Sequence, residues 1–352
     1  MVFSLCEFLF FRDIIYSMKI AENIPLSTLT TMRLGGPARY VIDIEKPSEI
    51  KEAYDFASKN HLPYYILGGG ANTIARDKGF NGAIFRTTIA GITASHTEGY
   101  TIVTAGAGEP WDNVVKFTTD LGLTGCEALS KIPGLTGAAP VQNIGAYGQE
   151  LADTFVSAEV YDFKDQVFKT LTKSDFGFSY RKSILNTTAK NRYLVISITL
   201  RLKKGEMSRP FYNSIEKYIE EHNIIEFSPK SIRDIVSKIR ADKLPDPAEK
   251  PSAGSFFKNI YLTKEQADEA TKKGYPVYHG HDGYKINSGW LIDQAGFNGK
   301  LLHGIRVNKK ASLVLINESA KSYNDLAKAR QEIIDKVKQQ FGYILEQEPN
   351  EI

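Results

Sequence analysis

The run PGLTGAAPVQNIGAYG at residues 133–148 constrains the fold more than any other stretch of the chain. It holds four glycines and two prolines, so we expect neither a helix nor a regular strand there. Its bulky and amide side chains also distinguish it from a flexible linker. Because glycine lets the backbone approach a ligand closely, the run predicts a rigid loop laid against a flat or phosphorylated molecule. The alternative is a tight turn between two strands.

The composition narrows the class of protein. With 352 residues, the chain is long enough for two or three domains. Its net charge of +3 comes without a clustered basic face, which argues against nucleic-acid binding. Two cysteines cannot build a disulfide framework and indicate a reducing compartment. His279 and His281 lie close together without a thiol or acidic partner, so we expect surface histidines and no metal site.

The first residues predict neither a membrane anchor nor an export signal. The apolar run at residues 2–11 is too short to span a bilayer and lacks the basic and cleavage regions of a signal peptide. Met18 begins a segment typical of an ordinary cytosolic start. We therefore expect an N-terminal extension over residues 1–17 of a cytoplasmic protein that makes no membrane contact.

The periodicity of apolar residues predicts a β-rich part followed by a smaller α+β part. Residues 28–87 have a βαβ pattern, with a helix capped by Ser48 and strands at 64–67 and 83–86. Strands dominate residues 100–203, apart from a helix over 111–121. Later helices are predicted to start after Ser228, Thr263 and Ser322. The proline-rich stretch 243–251 is the expected boundary between the two parts.

Two strings suggest binding or proton transfer. GGGAN at 68–72 follows a strand but lacks the third glycine of a Rossmann fingerprint, so we expect a dinucleotide site of another design, built from backbone N–H groups. In SAGSFFKN, Ser255 is a candidate proton donor if neighbouring groups hold the developing charge. The competing interpretation of Ser255 is a helix N-cap. No G-x-S-x-G elbow supports a serine hydrolase.

Charged residues near two other strings are candidates for anion binding and catalysis. Arg181 follows Tyr180 in FSYRKS, and its guanidinium suits a carboxylate or phosphate, although a surface cation is the common alternative. Glu346 and Glu348 in LEQE share one face of an extended segment, unless this segment is a solvated tail.

Together and in this order, these strings resemble the UDP-N-acetylenolpyruvoylglucosamine reductase family, flavoenzymes of peptidoglycan precursor synthesis. The resemblance runs from Leu29 to Glu348. The strings that carry it are TTMRLGGPA, LGGGAN, AGAGEPW, IPGLTGAAPVQNIGAYG, SYRKS, KLPDP, AGSFFKN, GWLIDQ and LVLIN.

The resemblance implies an α+β fold, with a two-lobed FAD-binding domain of the vanillyl-alcohol-oxidase type and a smaller α+β substrate domain. The implied boundaries are 18–87 for the first FAD-binding lobe and 88–243 for the second. The substrate domain would span 244–342, and a tail over 343–352 would return to the active site. A monomer is expected.

The resemblance also implies the chemistry: NADPH reduces FAD, and the enolpyruvyl group of a UDP-sugar is then reduced. Ser255 would donate the proton, while Arg181 and Glu348 would steady the enolate-like intermediate. The positions that match substrate-binding residues are Tyr212, Lys243 and Asn259. The positions that match FAD-binding residues are Gly68, Gly70, Ala71, Asn72, Thr73, Gln142, Asn143, Gly145 and Ala146.

The sequence departs from the family pattern at two places that matter. Ala71 stands where the family usually has serine, and LEQEP stands where it usually has LEPEV. Two other interpretations are therefore kept. One is a related flavin oxidase or dehydrogenase that acts on an alcohol or sugar. The other is a non-catalytic protein that binds flavin or a nucleotide sugar.

Overall fold

The first lobe is a four-stranded sheet with one helix packed on it. The computed structural model describes residues 18–205, 207–280 and 283–352, so the predicted extension over 1–17 and His281 lie outside the described residues. The sheet order is β1-β2-β5-β3, and β2, β3 and β5 are parallel. The elements are β1 (Lys19–Pro25), β2 (Pro37–Ile44), α1 (Pro47–Lys59), β3 (Tyr64–Ile66), β4 (Thr73–Ile74) and β5 (Phe80–Thr87). The expected βαβ pattern is confirmed, but Lys46 rather than Ser48 precedes the helix, because Pro47 occupies its first turn.

The second lobe is a larger antiparallel sheet ordered β12-β11-β13-β7-β6, with β8 paired to β13. Its strands are β6 (Ile92–Thr97), β7 (Tyr100–Gly106), β8 (Leu123–Thr124), β9 (Gly145–Ala146), β10 (Gln149–Glu150), β11 (Phe155–Asp162), β12 (Val167–Thr172) and β13 (Tyr193–Lys204). Its helices are α2 (Trp111–Asp120), α3 (Leu151–Thr154) and α4 (Lys173–Phe176). Phe163 stacks on Tyr54 at a centroid distance of 5.4 Å, so the two lobes share one apolar core.

Two helices, α5 (Asn213–Glu221) and α6 (Pro229–Lys243), pack on each other beside α2. The Ser228 hydroxyl accepts a hydrogen bond from the Ser231 N–H, and Pro229 follows it, as the sequence predicts. Leu244 ends α6 in an extended conformation just before Pro245. The apolar face of α6 packs against α5, and Arg240 of α6 lines the cavity described below.

The remaining part combines two small sheets, ordered β14-β20-β19-β18 and β15-β17-β16, with the long helix α9. Its strands are β14 (Ser252–Ser255), β15 (Ile260–Leu262), β16 (Val277–Gly280), β17 (Gly283–Ile286), β18 (Leu301–Leu302), β19 (Ile305–Val307), β20 (Val314–Asn317) and β21 (Asn350–Glu351). Its helices are α7 (Lys264–Lys272), α8 (Ser288–Gln294) and α9 (Tyr323–Phe341). Its core includes Met32 and Ile74 of the first lobe, which joins the two parts.

Two sequence predictions need correction. Residues 133–148 are not free of helix, because Thr136–Gln142 form a 3₁₀-helix that contains Pro140. A short 3₁₀-helix accommodates this proline. The helix ends at Asn143, which adopts the left-handed conformation. Ser255 is not a helix N-cap, because it ends the strand β14. None of the helices in the described part of the chain combines the length and apolar character needed to traverse a bilayer.

Candidate active site

Two glycine-rich segments, 68–73 and 133–147, form one wall of a cavity of about 360 Å³. We call these segments the glycine wall and this space the first cavity. Gly70 has φ +66°, and a Cβ atom there would lie 2.0 Å from the Leu29 carbonyl oxygen. A Cβ on Gly69 would lie 3.2 Å from the Gly134 Cα. The glycines therefore let the two segments meet and leave mainly backbone facing the cavity.

A side-chain hydrogen bond ties the two segments of the glycine wall together. The Asn72 amide donates to Gln142 Oε1 at 2.5 Å, across 70 residues of sequence. Eight of the nine positions that match FAD-binding residues line the first cavity. Asn143 does not, because its buried amide donates to Glu150 at 2.7 Å and accepts from the Ala152 N–H at 2.9 Å. The Asn143 side chain therefore stabilises the conformation of the loop through these two hydrogen bonds.

The glycine wall fits a flat, phosphorylated cofactor such as FAD. Segments 68–73 and 133–148 contain no aspartate or glutamate that would repel a phosphate. The wall combines glycines and alanines with a few larger side chains such as Leu135 and Val141, and at the small residues a planar molecule can approach the backbone closely.

Arg181 lies at the tip of a tight turn and contacts the glycine wall. The turn is closed by hydrogen bonds between Ser179 and Lys182, and Arg181 itself has φ +56°. Its Nη2 donates to the Gly145 carbonyl at 3.2 Å, and its Nε lies 2.9 Å from Glu348 Oε1. The Nε contact is poorly aligned, so this buried N–H has no aligned acceptor within the described part of the chain. A guanidinium with a donor to spare suits an anionic ligand.

Glu348 is the second charged group of the first cavity, and its side chain is only 7% exposed. Besides Arg181, it accepts a 3.3 Å hydrogen bond from the Gln142 amide of the glycine wall. Burial raises the pKa of Glu348 above its ordinary value, although Arg181 and Lys258 oppose this shift. Burial acts to lower the pKa of Arg181, but the charges of Glu348, Tyr180 and Glu150 together outweigh it and the net pKa is raised. The arginine stays charged, and the carboxyl holds a proton more readily than a surface glutamate.

The tail over residues 343–352 brings Glu348 to this position. Glu348 N–H donates to the Phe256 carbonyl at 2.9 Å, and Lys258 N–H donates to the Glu346 carbonyl at 2.9 Å. The tail therefore pairs with the segment that directly follows Ser255. Gly254, with φ +69°, bends that segment so that Ser255 lines the first cavity together with Arg181 and Glu348. We call these last three residues the charged side.

A second cavity of about 490 Å³ adjoins the first. Arg181 and Tyr212 line both cavities. Tyr212 is 48% exposed and contacts the Tyr147 ring edge-on at a centroid distance of 5.8 Å. Asn259 lines the second cavity, and its side-chain oxygen accepts a 3.2 Å hydrogen bond from the Ser288 N–H. The structure thus brings two of the three expected substrate residues to one space.

Lys243 is the expected substrate residue that the structure sets apart. It is the last residue of α6, its side chain is exposed, and it lines neither cavity. Its carbonyl accepts a 3.0 Å hydrogen bond from the Asn308 amide. Lys243 lies one helical turn beyond Arg240, which does line the first cavity.

Two further cationic residues, Arg240 and Lys285, line the cavities, and no sequence pattern predicted them. Burial lowers the pKa of Arg240, which lies beside Tyr147 on the wall of the first cavity. Burial, followed by the charge of Arg181, lowers the pKa of Lys285 in the second cavity. Neither stands in a distinctive string, and the chain has 44 lysines and arginines, so no sequence signal separates these two from the others.

Family models and relatives match the two parts of this site. A model described as the FAD binding domain matches residues 38–170, and one described as the UDP-N-acetylenolpyruvoylglucosamine reductase C-terminal domain matches residues 246–352. A UDP-N-acetylenolpyruvoylglucosamine reductase of Bdellovibrio bacteriovorus is 34% identical over 335 residues, which cover 94% of this chain and 99% of that protein. This chain belongs to the UDP-N-acetylenolpyruvoylglucosamine reductase family.

Other members of the reductase family agree with this assignment. The UDP-N-acetylenolpyruvoylglucosamine reductase of Ralstonia nicotianae is 37% identical over 92% of this chain and 97% of its own length. A crystal structure of the reductase from Thermus caldophilus has a TM-score of 0.66 at 24% identity, over 95% of this chain and 99% of that one. The expected fold class is confirmed: an α+β reductase fold with an FAD-binding domain.

Proposed function

We propose that this chain reduces UDP-N-acetylglucosamine-enolpyruvate to UDP-N-acetylmuramate with NADPH and FAD, a step of peptidoglycan precursor synthesis. One observation carries the proposal in a member of this family. Ser255, Arg181 and Glu348 come from three distant parts of the chain and line the same cavity as the glycine wall. Such a convergence supplies a proton donor, a cation and a buried carboxyl where an enolpyruvyl group would be reduced.

In this proposal FAD, when bound, carries the electrons of NADPH to the substrate. The residues that would hold it are the cavity-lining positions of the glycine wall: Gly68, Gly70, Ala71, Asn72, Thr73, Gln142, Gly145 and Ala146. Their backbone groups and the Asn72–Gln142 pair keep the wall rigid, so that little reorganisation is needed when a ligand binds.

Arg181 offsets the negative charge that reduction places on the substrate. When the β-carbon of the enolpyruvyl group is reduced, charge spreads toward its carboxylate. A fixed guanidinium stabilises such charge more than water does, because it is already oriented and lies in a site of low dielectric constant. Glu348 holds Arg181 in place through the 2.9 Å contact.

Ser255 completes the reaction by giving a proton to the α-carbon. A serine hydroxyl is a poor acid in water, but the neighbouring cation Arg181 lowers the cost of the negative charge that remains on its oxygen. A donor fixed on one side of the cavity also sets the stereochemistry of the product.

The second cavity is the proposed place for the nucleotide part of the substrate. Tyr212 and Asn259 line it, and Lys285 adds a positive charge suited to a diphosphate. Lys243 is retained as a substrate residue on the resemblance alone. Its exposed side chain would reach the substrate from the end of α6.

The proposal is tested anaerobically with purified holoprotein, NADPH and UDP-N-acetylglucosamine-enolpyruvate. We expect NADPH loss to equal the formation of UDP-N-acetylmuramate, measured by absorbance and mass spectrometry. If NADPH reduces the flavin but this substrate never reoxidises it, the reductase function is wrong. Turnover with oxygen and an alcohol or sugar instead would support the oxidase interpretation.

Ser255→Ala tests the role of the serine. We expect it to leave reduction of the flavin by NADPH intact and to slow reoxidation by the substrate. Ser252→Ala is the matched control, since Ser252 lies in the same strand, is buried, and lines neither cavity. Equal loss of both half-reactions in Ser255→Ala would contradict the role.

We also propose that the protein works as a cytoplasmic monomer. The use of only two cysteines supports a reducing compartment, and Cys126 is a buried free thiol. Sedimentation velocity and cell fractionation test the two statements separately.

A further inference from the structure

Glu351 is the centre of a polar cluster at the end of the tail. Its Oε1 accepts hydrogen bonds from Tyr323 at 2.8 Å and from Arg330 at 2.7 Å, and its Oε2 accepts from Arg76 at 2.7 and 3.2 Å. Arg76 belongs to the first lobe, whereas Tyr323 and Arg330 lie on α9. We call these four residues the tail anchor. It joins three separate parts of the chain through a single carboxylate.

The tail backbone is held in register next to the anchor. The strand β21 pairs in parallel with β4, and Asn350 N–H donates to the Asn72 carbonyl at 3.0 Å. Two residues before this bond, Glu348 N–H donates to the Phe256 carbonyl at 2.9 Å. One short segment therefore touches both the glycine wall and the segment that directly follows Ser255.

The anchor and Glu348 belong to the same tightly bonded segment. Gln347 accepts a hydrogen bond from Arg330, and its amide donates to the Pro349 carbonyl at 2.8 Å and to Glu351 Oε1 at 3.4 Å. Pro349, between the two glutamates, has a fixed φ and biases Glu348 toward an extended conformation. A displacement of Glu351 is therefore passed to Glu348 rather than absorbed by a flexible link.

We propose that Glu351 is a positioning residue that sets Glu348 against Arg181 and Gln142. The inference rests on the proposed function, since it assigns a task within that site. Glu351 lies outside the lining of the first cavity and acts through Glu348. Catalysis is sensitive to such placement, because a shift of about 1 Å can cost roughly 100-fold in rate.

A purely structural role of Glu351 would give a different experimental result. If Glu351 only stabilises the fold, its loss lowers the melting temperature and leaves both half-reactions per bound flavin unchanged. If it positions Glu348, reduction of the flavin by NADPH is unchanged while reoxidation by the enolpyruvyl substrate slows.

The experiment compares Glu351→Gln with the wild-type holoprotein by anaerobic stopped-flow absorbance, with rates taken per bound flavin. We expect reoxidation by the substrate to fall by roughly 10- to 100-fold. Glu318→Gln is the matched control, because Glu318 also receives two hydrogen bonds from one arginine, Arg306, and lines neither cavity. If Glu351→Gln binds too little flavin, Tyr323→Phe removes one donor of the anchor and gives a milder test.

A double-mutant cycle shows whether the effect passes through Glu348. In a Glu348→Gln background, we expect Glu351→Gln to slow reoxidation by less than twofold. Independent, additive losses would overturn the proposal, as would an unchanged rate in the single variant. If the wild type itself never turns over this substrate, the proposed function fails instead, so the two failures are distinguishable.

Discussion

The glycine wall and the charged side line the same cavity and are built in opposite ways. The wall consists mainly of glycine, alanine and other apolar residues from two short strings, tied by the Asn72–Gln142 hydrogen bond. The charged side gathers Arg181, Ser255 and Glu348 from three distant segments. The local sequence therefore determines the close approach to a flat ligand. The reactive side chains come together only in the tertiary structure.

Arg181→Met should have the largest effect, because it removes the cation of the charged side, while the wall loses only the hydrogen bond from Arg181 to the Gly145 carbonyl. We expect reoxidation by the substrate to slow by roughly 100- to 1,000-fold. Flavin content and reduction by NADPH should change little. Stopped-flow measurement of each half-reaction checks this.

A matched control for Arg181→Met is Arg233→Met. Arg233 makes a two-pronged ion pair with Asp112 at 2.7 and 2.9 Å, is 10% exposed, and lines neither cavity. The Arg233→Met substitution should lower the melting temperature without a selective effect on either half-reaction. A selective effect of Arg233→Met equal to that of Arg181→Met would refute the assignment of Arg181.

Gly70→Ala tests the wall. The left-handed conformation alone costs roughly 1–3 kcal/mol for a non-glycine residue, and the new Cβ would meet the Leu29 carbonyl oxygen. We therefore expect loss of bound flavin, measured by absorbance per chain, and a lower melting temperature. Gly274→Ala separates the two causes, since Gly274 has φ +77° and open space around it. Equal flavin loss in both variants would show that close packing at Gly70 is unimportant.

Lys243→Ala should have a smaller effect, confined to binding. Loss of one charged contact to a diphosphate should raise the substrate KM by roughly tenfold, with kcat nearly unchanged. Lys250→Ala serves as the control, because Lys250 is another exposed lysine of the proline-rich stretch and lines neither cavity. An unchanged KM in steady-state assays would remove Lys243 from the diphosphate site and leave Arg240 and Lys285 as the cations to test.

The smallest effect concerns the pH dependence of stability. Partial burial opposes the shift, but Arg76, Tyr323 and Arg330 lower the pKa of Glu351 from 4.5 to about 2. A lowered pKa contributes stability above the unfolded value, and this contribution is lost as the pH falls from 4.5 through about 2. The melting temperature of the wild type should exceed that of Glu351→Gln by a few degrees at pH 6. Thermal melts should show this difference shrinking toward pH 2, and a constant difference would contradict the shift.

Local signals in the sequence predicted several of the longer helices and strands. Ser228 and Pro229 mark the start of α6, and Gly342 follows α9 in the left-handed conformation expected of a helix C-terminus. The 3₁₀-helix over Thr136–Gln142 was missed because glycine and proline content does not reveal a short i→i+3 turn that tertiary contacts stabilise.

The site itself was only partly predictable. The strings that contain Ser255, Arg181 and Glu348 stand out, but the burial of Glu348 depends on pairing between segments that are far apart in sequence. Asn143 lies in a recognisable string, yet its side chain bonds within its own loop. Arg240 and Lys285 become distinctive only through burial, which no single string records.

The separation in sequence between the two sides of the cavity has a consequence for biosynthesis. Gln142 and Glu348, which meet in the folded protein, are 206 residues apart. At roughly 5–20 residues per second, a ribosome needs roughly 10–40 s to translate that interval. Throughout this time both strings of the glycine wall have been synthesised, whereas Glu348 has not. The wall therefore exists as polypeptide well before the carboxyl that completes the charged side.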